Sequence, residues 1–356
     1  MAPITYLPCD YDVFIGIDVD KRSFSFTTTD RDVMINRSKT IPANEDNLYR
    51  YIKNSFPDKN VLCGYEAGPT GFHLYDYLLQ NEVQCIVMPP SSIPKPSDSR
   101  VKTNRIDSER IANCLRSGEA RPIRVPDESY RELRHLISVR ERYSADTTRT
   151  KQRIKALLLY VHLDDMMPDS EKRWSNAYIA HLKTLETPPA VDERLNLLLE
   201  DLAYTRSQMT RILRSLKSFC HVHEEIDRYR KYLETIPGIG FQVALTILAR
   251  IGDPKELTNV RELGAFFGLV PTEHSTGERV QRGSITHLGN NAARALLIEA
   301  AWTTIRYDKE LCQFYHRIRA RHHPSCAARK AIVAVARKLT QRIYSVLTEE
   351  RPYMVR

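Results

Sequence analysis

Asp12-Val13-Phe14-Ile15-Gly16-Ile17-Asp18-Val19-Asp20-Lys21-Arg22-Ser23-Phe24-Ser25-Phe26-Thr27-Thr28-Thr29-Asp30 reads as an apolar strand, a short charged turn and a second strand of alternating pattern. Downstream, Val61-Leu62-Cys63-Gly64-Tyr65 predicts another short strand, and Thr70 to Gln80 fits an amphipathic helix. Cys85-Ile86-Val87-Met88 is a strand of the buried type, stopped by Pro89-Pro90. Strands separated by helices predict an α/β domain at this end of the chain, residues 1–125. The Pro- and Ser-rich stretch 91–99 is a loop, and a helix is expected from about Ile106 to Leu115.

Beyond Pro126 the pattern turns helical. Leu195, Leu202, Met209 and Leu216 recur every seven residues, with Leu198, Leu199, Ile212 and Leu213 between them. That is a coiled-coil seam, antiparallel or between molecules, and residues 129–162 offer a matching partner helix. A helical coiled-coil region over 126–230 and a mainly helical C-terminal domain over 231–356 complete the expected organisation.

The chain has 356 residues, a formal charge of +9, and 53 Lys and Arg against 44 Asp and Glu. Such a balance favours an anionic partner, nucleic acid before membrane. Much of the charge lies on the helix that carries Arg131, Arg134, Arg140, Arg142, Arg149, Lys151, Arg153 and Lys155. It reads as a phosphate-backbone contact or as a solvated face. Seven scattered cysteines, never spaced as C-x-x-C, indicate neither a disulfide framework nor a zinc knuckle. No signal sequence and no apolar run near the ~20 residues of a membrane span is seen, so a soluble intracellular protein is expected. Trp174 and Trp302 are expected to fill cores.

Three features carry chemistry. Asp18 closes the first strand and Glu66 takes the equivalent place after the strand that begins at Val61. Two strand-end carboxylates can share a hard cation, and Asp107, at the start of the later helix, could add a third oxygen. Taken singly, each acid reads as a surface residue or a helix cap. The second feature is Ile236-Pro237-Gly238-Ile239-Gly240 before the apolar run Val243 to Ile251, the form of a helix–hairpin–helix turn. Its glycines allow tight geometry and leave amides free for a phosphate, or they simply turn the chain between core helices. The third is Gly268 to Asn290, where His274-Ser275-Thr276-Gly277 and Arg282-Gly283-Ser284 set hydroxyls among basic residues before an alanine-rich helix. Such a loop could bring a nucleophile to a phosphate.

With these pieces in order, the chain resembles the DEDD-type insertion-sequence transposases known as bridge-RNA-guided recombinases. Gly16-Ile17-Asp18-Val19, Tyr65-Glu66-Ala67-Gly68-Pro69-Thr70-Gly71 and Val101-Lys102-Thr103-Asn104-Arg105-Ile106-Asp107-Ser108 carry the resemblance, together with the 236–240 turn and the 268–290 loop. It implies a RuvC-like, RNase H-type first domain, a coiled-coil middle and a C-terminal transposase domain with a serine nucleophile. The family's acidic positions fall on Asp18, Glu66, Asn104 and Asp107, where Asn104 replaces the usual Asp; these would hold Mg²⁺ or Mn²⁺.

Ser275 is the implied nucleophile, its primary hydroxyl less crowded than that of Thr276, the alternative. Ser284 is read as a phosphate or loop contact. Arg279, Arg282 and Arg294 would steady phosphates, and Arg149, Lys151, Arg153, Lys155, Gly238 and Gly240 would add nucleic-acid contacts. The implied partners are donor and target DNA, a structured bridge RNA, and further copies of the chain in a homodimer or homotetramer, in the cytoplasm of a bacterium or archaeon. Cleavage would pass through a phosphoserine ester. Three other readings stand beside it: a junction-resolving nuclease that uses water, a nucleic-acid-binding protein whose metal site lapsed at Asn104, and a binder of RNA only that uses the Lys- and Arg-rich helices of the middle and C-terminal regions.

Overall fold

A computed structural model describes residues 6–93, 104–163, 174–273, 282–286 and 289–354. The chain divides into two compact units, residues 2–125 and 126–356.

The first unit is built on a five-stranded mixed sheet of order β3-β2-β1-β4-β5, formed by β1 (Val13–Val19), β2 (Ser23–Thr29), β3 (Met34–Pro42), β4 (Val61–Glu66) and β5 (Gln84–Met88). The β1–β2–β3 side is antiparallel and the β1–β4–β5 side parallel. Two-residue alternation sorts the apolar side chains onto two faces. Val13, Ile15, Ile17, Cys63, Tyr65 and Val87 share a core with α1 (Glu45–Ser55) and α2 (His73–Gln80). Phe14, Leu62, Ile86 and Met88 pack on the opposite face with Ile111, Cys114 and Leu115 of α3 (Asn104–Ser117).

Strand β3 and helix α1 have no counterpart in the sequence reading. The strand lies at the sheet edge and carries Asn36, Arg37, Ser38 and Lys39 in sequence, so no apolar alternation marks it. Asn44 starts α1 by accepting from the amides of Asp46 and Asn47. Helix α2 begins three residues later than Thr70, because the chain first turns through Gly71 at φ +73°.

Among its described residues the second unit is helical apart from one small hairpin. Its two longest elements, α4 (Glu128–Tyr160) and α6 (Pro189–Val222), form an antiparallel pair. Ile154, Leu157 and Leu158 meet Leu195, Leu199 and Leu202 at one end, braced by α5 (Asn176–Leu182). At the other end Leu133 and Ile137 share a core with Leu216 and Cys220. At ~1.5 Å per residue each of these helices is about 50 Å long.

There follow α7 (Glu224–Glu234), α8 (Phe241–Ile251), α9 (Val260–Phe266), β6 (Pro271–Glu273), β7 (Arg282–Ile285), α10 (Asn291–Tyr307), α11 (Lys309–Arg319) and α12 (Pro324–Thr348). One apolar core runs from Tyr130 to Leu347, so the base of the α4–α6 pair and the C-terminal helices share it across residue 230. Helix α8 lies at its centre, with Ala244 to Ala249 all buried. Trp302 departs from the expected core position: it is 36% exposed on the outer side of α10, between buried Ala301 and Thr304. Among the described residues no helix is long and apolar enough to cross a membrane.

Candidate active site and nucleic-acid surfaces

The acidic residues are positioned by a pair of glycines. Gly16 of β1 and Gly64 of β4 are register partners, and both face α3. A Cβ on Gly16 would stand 2.2 Å from the Ala112 nitrogen and 2.3 Å from the Ser108 carbonyl oxygen; one on Gly64 would stand 2.9 Å from a Leu115 methyl. The glycines thus let a helix backbone lie directly on the sheet. Ser108 Oγ hydrogen-bonds Thr27 Oγ1 of β2 at 3.0 Å within this contact. Two residues beyond each glycine, and so on the same face, come Asp18 and Glu66.

Helix α3 runs antiparallel to β1. Its last turns lie at the start of that strand, where Tyr6 Oη donates to the Cys114 and Leu115 carbonyls, and its first turn lies at the strand's end. With a strand rise of ~3.3 Å, Asp18 sits about 7 Å past Gly16. With a helix rise of ~1.5 Å, Asp107 and Asn104 sit roughly 5 and 9 Å past the middle of the Ser108–Ala112 contact. All four residues therefore occupy one end of the sheet. Asp18, Glu66 and Asp107 are half-buried and Asn104 is exposed.

Asp107 Oδ1 lies 3.4 Å from Arg110 Nη1, both side chains being mostly covered. This i,i+3 ion pair occupies an oxygen that a cation would use. Among the described residues, no three His, Cys, Asp or Glu side chains are grouped as metal ligands. The donor set is nonetheless oxygen throughout, three carboxylates and a carboxamide, which suits Mg²⁺ or Mn²⁺. Asp20 belongs to the β1–β2 turn, its carboxylate accepting from the Lys21 amide.

Ser275, Thr276 and Arg279 lie outside the described residues; the base of their segment is described. The chain leaves at Glu273 and returns at Arg282, register partners of the antiparallel β6–β7 hairpin. Thr272 Oγ1 donates to the Ser284 carbonyl at 3.1 Å, and the Thr286 amide to Val270 at 3.0 Å. At the exit Gly289 takes φ +88°, and a Cβ there would stand 2.3 Å from the Phe266 carbonyl oxygen. Arg294 is turned inward, only 4% exposed. Its guanidinium donates to the Gly268 carbonyl and to the Asn291 carboxamide oxygen. In this arrangement it holds the two ends of the segment together rather than facing solvent.

The two glycines of the 236–240 turn do different work. Gly238, at φ +92°, abuts α10: its Cβ would stand 2.4 Å from the Ala300 carbonyl oxygen, and Thr304 Oγ1 donates to the Pro237 carbonyl at 2.7 Å. Gly240 caps α8 with open space around it. The first turn of α8 borders a groove of about 660 Å³ whose other wall is Thr210, Leu213, Arg214 and Lys217 of α6.

The basic residues of α4 also divide. Arg134 donates through Nε to the Ala249 carbonyl and through Nη2 to that of Arg250, closing the C-terminus of α8. Arg140 bonds Gln242, and Glu141 pairs with Arg250 at 2.6 Å. These three belong to the α4–α8 interface, which periodicity and charge count had no means of showing. Farther along, Arg149 pairs with Asp146 at 3.1 Å and Arg153 is exposed. Lys151 lies 5.6 Å over the Trp174 ring; burial, then the nearby charges of Arg206 and Lys155, push its ammonium pKa down.

Comparison with known proteins gives the class of this acid-bearing mixed sheet and the helical unit that follows it: a DNA-processing enzyme of the DEDD type. A DEDD transposase family model matches residues 15–163, and the model of the IS116/IS110/IS902 transposase family matches residues 230–316. A transposase of Sinorhizobium fredii (y4qE) is 32% identical over 301 residues, 83% of this chain and 72% of the relative. The transposase of insertion sequence element IS1111A from Coxiella burnetii is 25% identical over 346 residues, 95% of this chain and 90% of the relative. The chain belongs to the IS110/IS116 family of DEDD transposases. It is thus an enzyme that cleaves and rejoins DNA, and a DEDD domain typically uses a divalent metal. A RuvC-like domain at the N-terminal end fits the family model.

Proposed function

We propose that this transposase is a bridge-RNA-guided recombinase that exchanges DNA strands through a phosphoserine ester on Ser275. The observation that supports the acidic half of the reading is the shared placement of Asp18 and Glu66, on the face and at the end of the sheet where α3 begins with Asn104 and Asp107. These residues would hold Mg²⁺ or Mn²⁺, and the cation, when bound, supplies Lewis-acid stabilisation of charge developing on a phosphate.

Ser275 Oγ attacks phosphorus, a P–Oγ bond forms, and the P–O3′ bond breaks, its oxygen taking up a proton as a free 3′-hydroxyl. The ester keeps the energy of the phosphodiester. A 3′-hydroxyl from another strand can therefore reverse the step and join new partners without ATP. Arg279 and Arg282 steady phosphates beside the serine, and Arg294 acts from the base of the segment. Lys151, Arg153 and Lys155, with Arg149, contact a nucleic-acid backbone, as does the Gly238–Gly240 turn. Donor DNA, target DNA and a structured RNA are the partners, and copies of the chain assemble through the α4–α6 helices.

The test combines purified protein, the element's noncoding RNA, Mg²⁺ and labelled donor and target DNA, with products run on a denaturing protein gel. A covalent adduct lost in Ser275→Ala and kept in Thr276→Ala is the expected result. Loss only in Thr276→Ala moves the nucleophile by one residue. Cleaved DNA without any adduct overturns the reading in favour of a nuclease that uses water.

A further inference from the structure

Trp302 is the exposed one of the chain's two tryptophans. A large ring that is 36% exposed is either incidental or waiting for a flat partner. Here the ring is held: Tyr315 of α11, only 6% exposed, meets it edge-on at 5.8 Å and 63°, and Tyr315 in turn meets His316 at 5.4 Å. Tyr315 thus packs against one side of the tryptophan, and about a third of the residue stays open to solvent.

Two exposed arginines flank it. Arg306 follows Trp302 by four residues on α10, one helical turn along the same side, and is exposed. Arg319 follows Tyr315 by four residues on α11 and is also exposed. Among the described residues neither arginine is in an ion pair. From Leu311 through Thr348 the sequence has no Asp or Glu at all. Since α10 and α11 are joined by Asp308 alone and run back alongside each other at Trp302 and Tyr315, the two guanidiniums lie on opposite sides of the ring along the helices. Two exposed acids stand nearby, Glu299 one turn before Trp302 on α10, and Glu310 at the start of α11, where it pairs with Lys338 and Arg342.

We propose that this face of α10 and α11 is a docking track for single-stranded DNA, with one base stacked on Trp302 and neighbouring phosphates met by Arg306 and Arg319. An aromatic platform between unpaired cations is what a strand with exposed bases and a charged backbone requires; a duplex, whose bases are already stacked, has no use for it. The proposal rests on the chain's being a strand-exchanging enzyme, which must hold single strands between cleavage and rejoining. It does not depend on which residue is the nucleophile. The track begins at α10, the helix that directly follows the Ser275 segment.

Tryptophan fluorescence tests it without any cleavage. Full-length protein carrying Ser275→Ala is titrated with oligo-dT and, separately, with oligo-U of equal length, against the same protein with Trp302→Phe, in which Trp174 alone emits. The expected result is quenching in the first protein and its loss in the second, with affinity retained within about threefold because a phenyl ring still stacks. Trp302→Ala weakens binding about tenfold or more. Arg306→Gln and Arg319→Gln each reduce the slope of log K against log salt by about 0.7, and Glu299→Gln tightens binding. Oligo-dT is expected to bind at least as tightly as oligo-U; binding of oligo-U alone overturns the assignment to DNA.

Equal quenching with and without Trp302, or unchanged affinity in Trp302→Ala, overturns the proposal. So does a Trp302→Ala protein that binds oligonucleotide normally but sediments as a smaller species, which would assign the face to a second copy of the chain. Failure of the Ser275 adduct assay, by contrast, leaves these binding results standing.

Discussion

Gly16 and Gly64 face each other across the parallel β1–β4 pair, and α3 crosses both with its backbone on the first and Leu115 on the second. Each glycine precedes by two residues an acid of the candidate site. The sheet face that must be bare to admit the helix therefore continues directly into the face that carries Asp18 and Glu66. Packing and chemistry share one period-2 pattern, glycine then carboxylate, on neighbouring strands.

The two glycines differ in what a methyl group would strike. Gly16→Ala drives a Cβ into helix backbone, which cannot yield without moving α3 and with it Asn104 and Asp107. It is expected to cost about 3 kcal/mol, the upper part of the range for overpacking. Gly64→Ala meets a flexible leucine methyl, and part of its cost is offset by the lower entropy of the unfolded chain. It is expected to cost less than ~1.5 kcal/mol. Urea midpoints of the two variants check the order; equal losses would count against backbone contact at Gly16.

Asn104 supplies a neutral oxygen where a carboxylate would bring charge. Asn104→Asp is expected to tighten Mn²⁺ binding about tenfold, an effect of ~1.4 kcal/mol. Arg110→Gln releases the Asp107 carboxylate from its ion pair and moves affinity in the same direction. Calorimetric titration of the DNA-free protein with Mn²⁺ reads both changes. Unchanged affinity in both variants would place the metal elsewhere.

Arg134 and Arg153 lie on one helix and have opposite expected signatures. Removing Arg134 leaves the Ala249 and Arg250 carbonyls without their donor, so Arg134→Gln should lose ~1–3 kcal/mol of stability and leave the salt slope of DNA binding unchanged. Arg153→Gln should keep stability within ~0.5 kcal/mol and lower the slope for duplex DNA by ~0.9. Melting curves and binding isotherms at several salt concentrations separate the two roles.

Asp227 accepts from Arg230 Nε at 2.7 Å and pairs with Lys231 Nζ at 2.8 Å in the first turns of α7. Burial by itself raises this carboxyl, but the bonds and charges of Arg230 and Lys231 outweigh it and hold the pKa below the usual carboxylate range. A group depressed in the folded state contributes stability above its unfolded pKa of ~3.9 and loses that contribution as pH falls through the folded value. Asp227→Asn is therefore expected to cost on the order of 1 kcal/mol at pH 7, with the gap to wild type closing as pH falls below the unfolded value and through the folded one. Urea unfolding at pH 7, 5 and 3 gives the test; a gap independent of pH would rule out the ionic contribution.

Much of the frame is legible in the chain itself. The alternation from Val13 to Thr29 predicts the β1–β2 hairpin, and the apolar runs at Val61 and Cys85 predict β4 and β5. The seven-residue recurrence from Leu195 to Leu216 is read as a coiled-coil seam; the structure shows one long helix there, α6, with Leu195, Leu202 and Leu216 buried. These signals are local and repeat at the period of the backbone, so a few side chains suffice to read them. Edge strand β3 carries no such repeat because none of its side chains is fully buried and most are exposed, so neither face demands an apolar series.

What the sequence by itself determined is which segments must bury a face and which residues bear oxygen ligands, hydroxyls or positive charge. Only the tertiary structure decided where those charges go. Arg134 and Arg140 became interface groups, Arg294 a brace under the Ser275 segment, Arg153 an exposed cation, and Trp302 a surface ring. The physical reason is that a cation costs little at the surface and much in the interior unless a carbonyl or carboxylate receives it. Those receivers, such as the Ala249 and Gly268 carbonyls, lie 115 and 26 residues away in the chain and become neighbours only on folding.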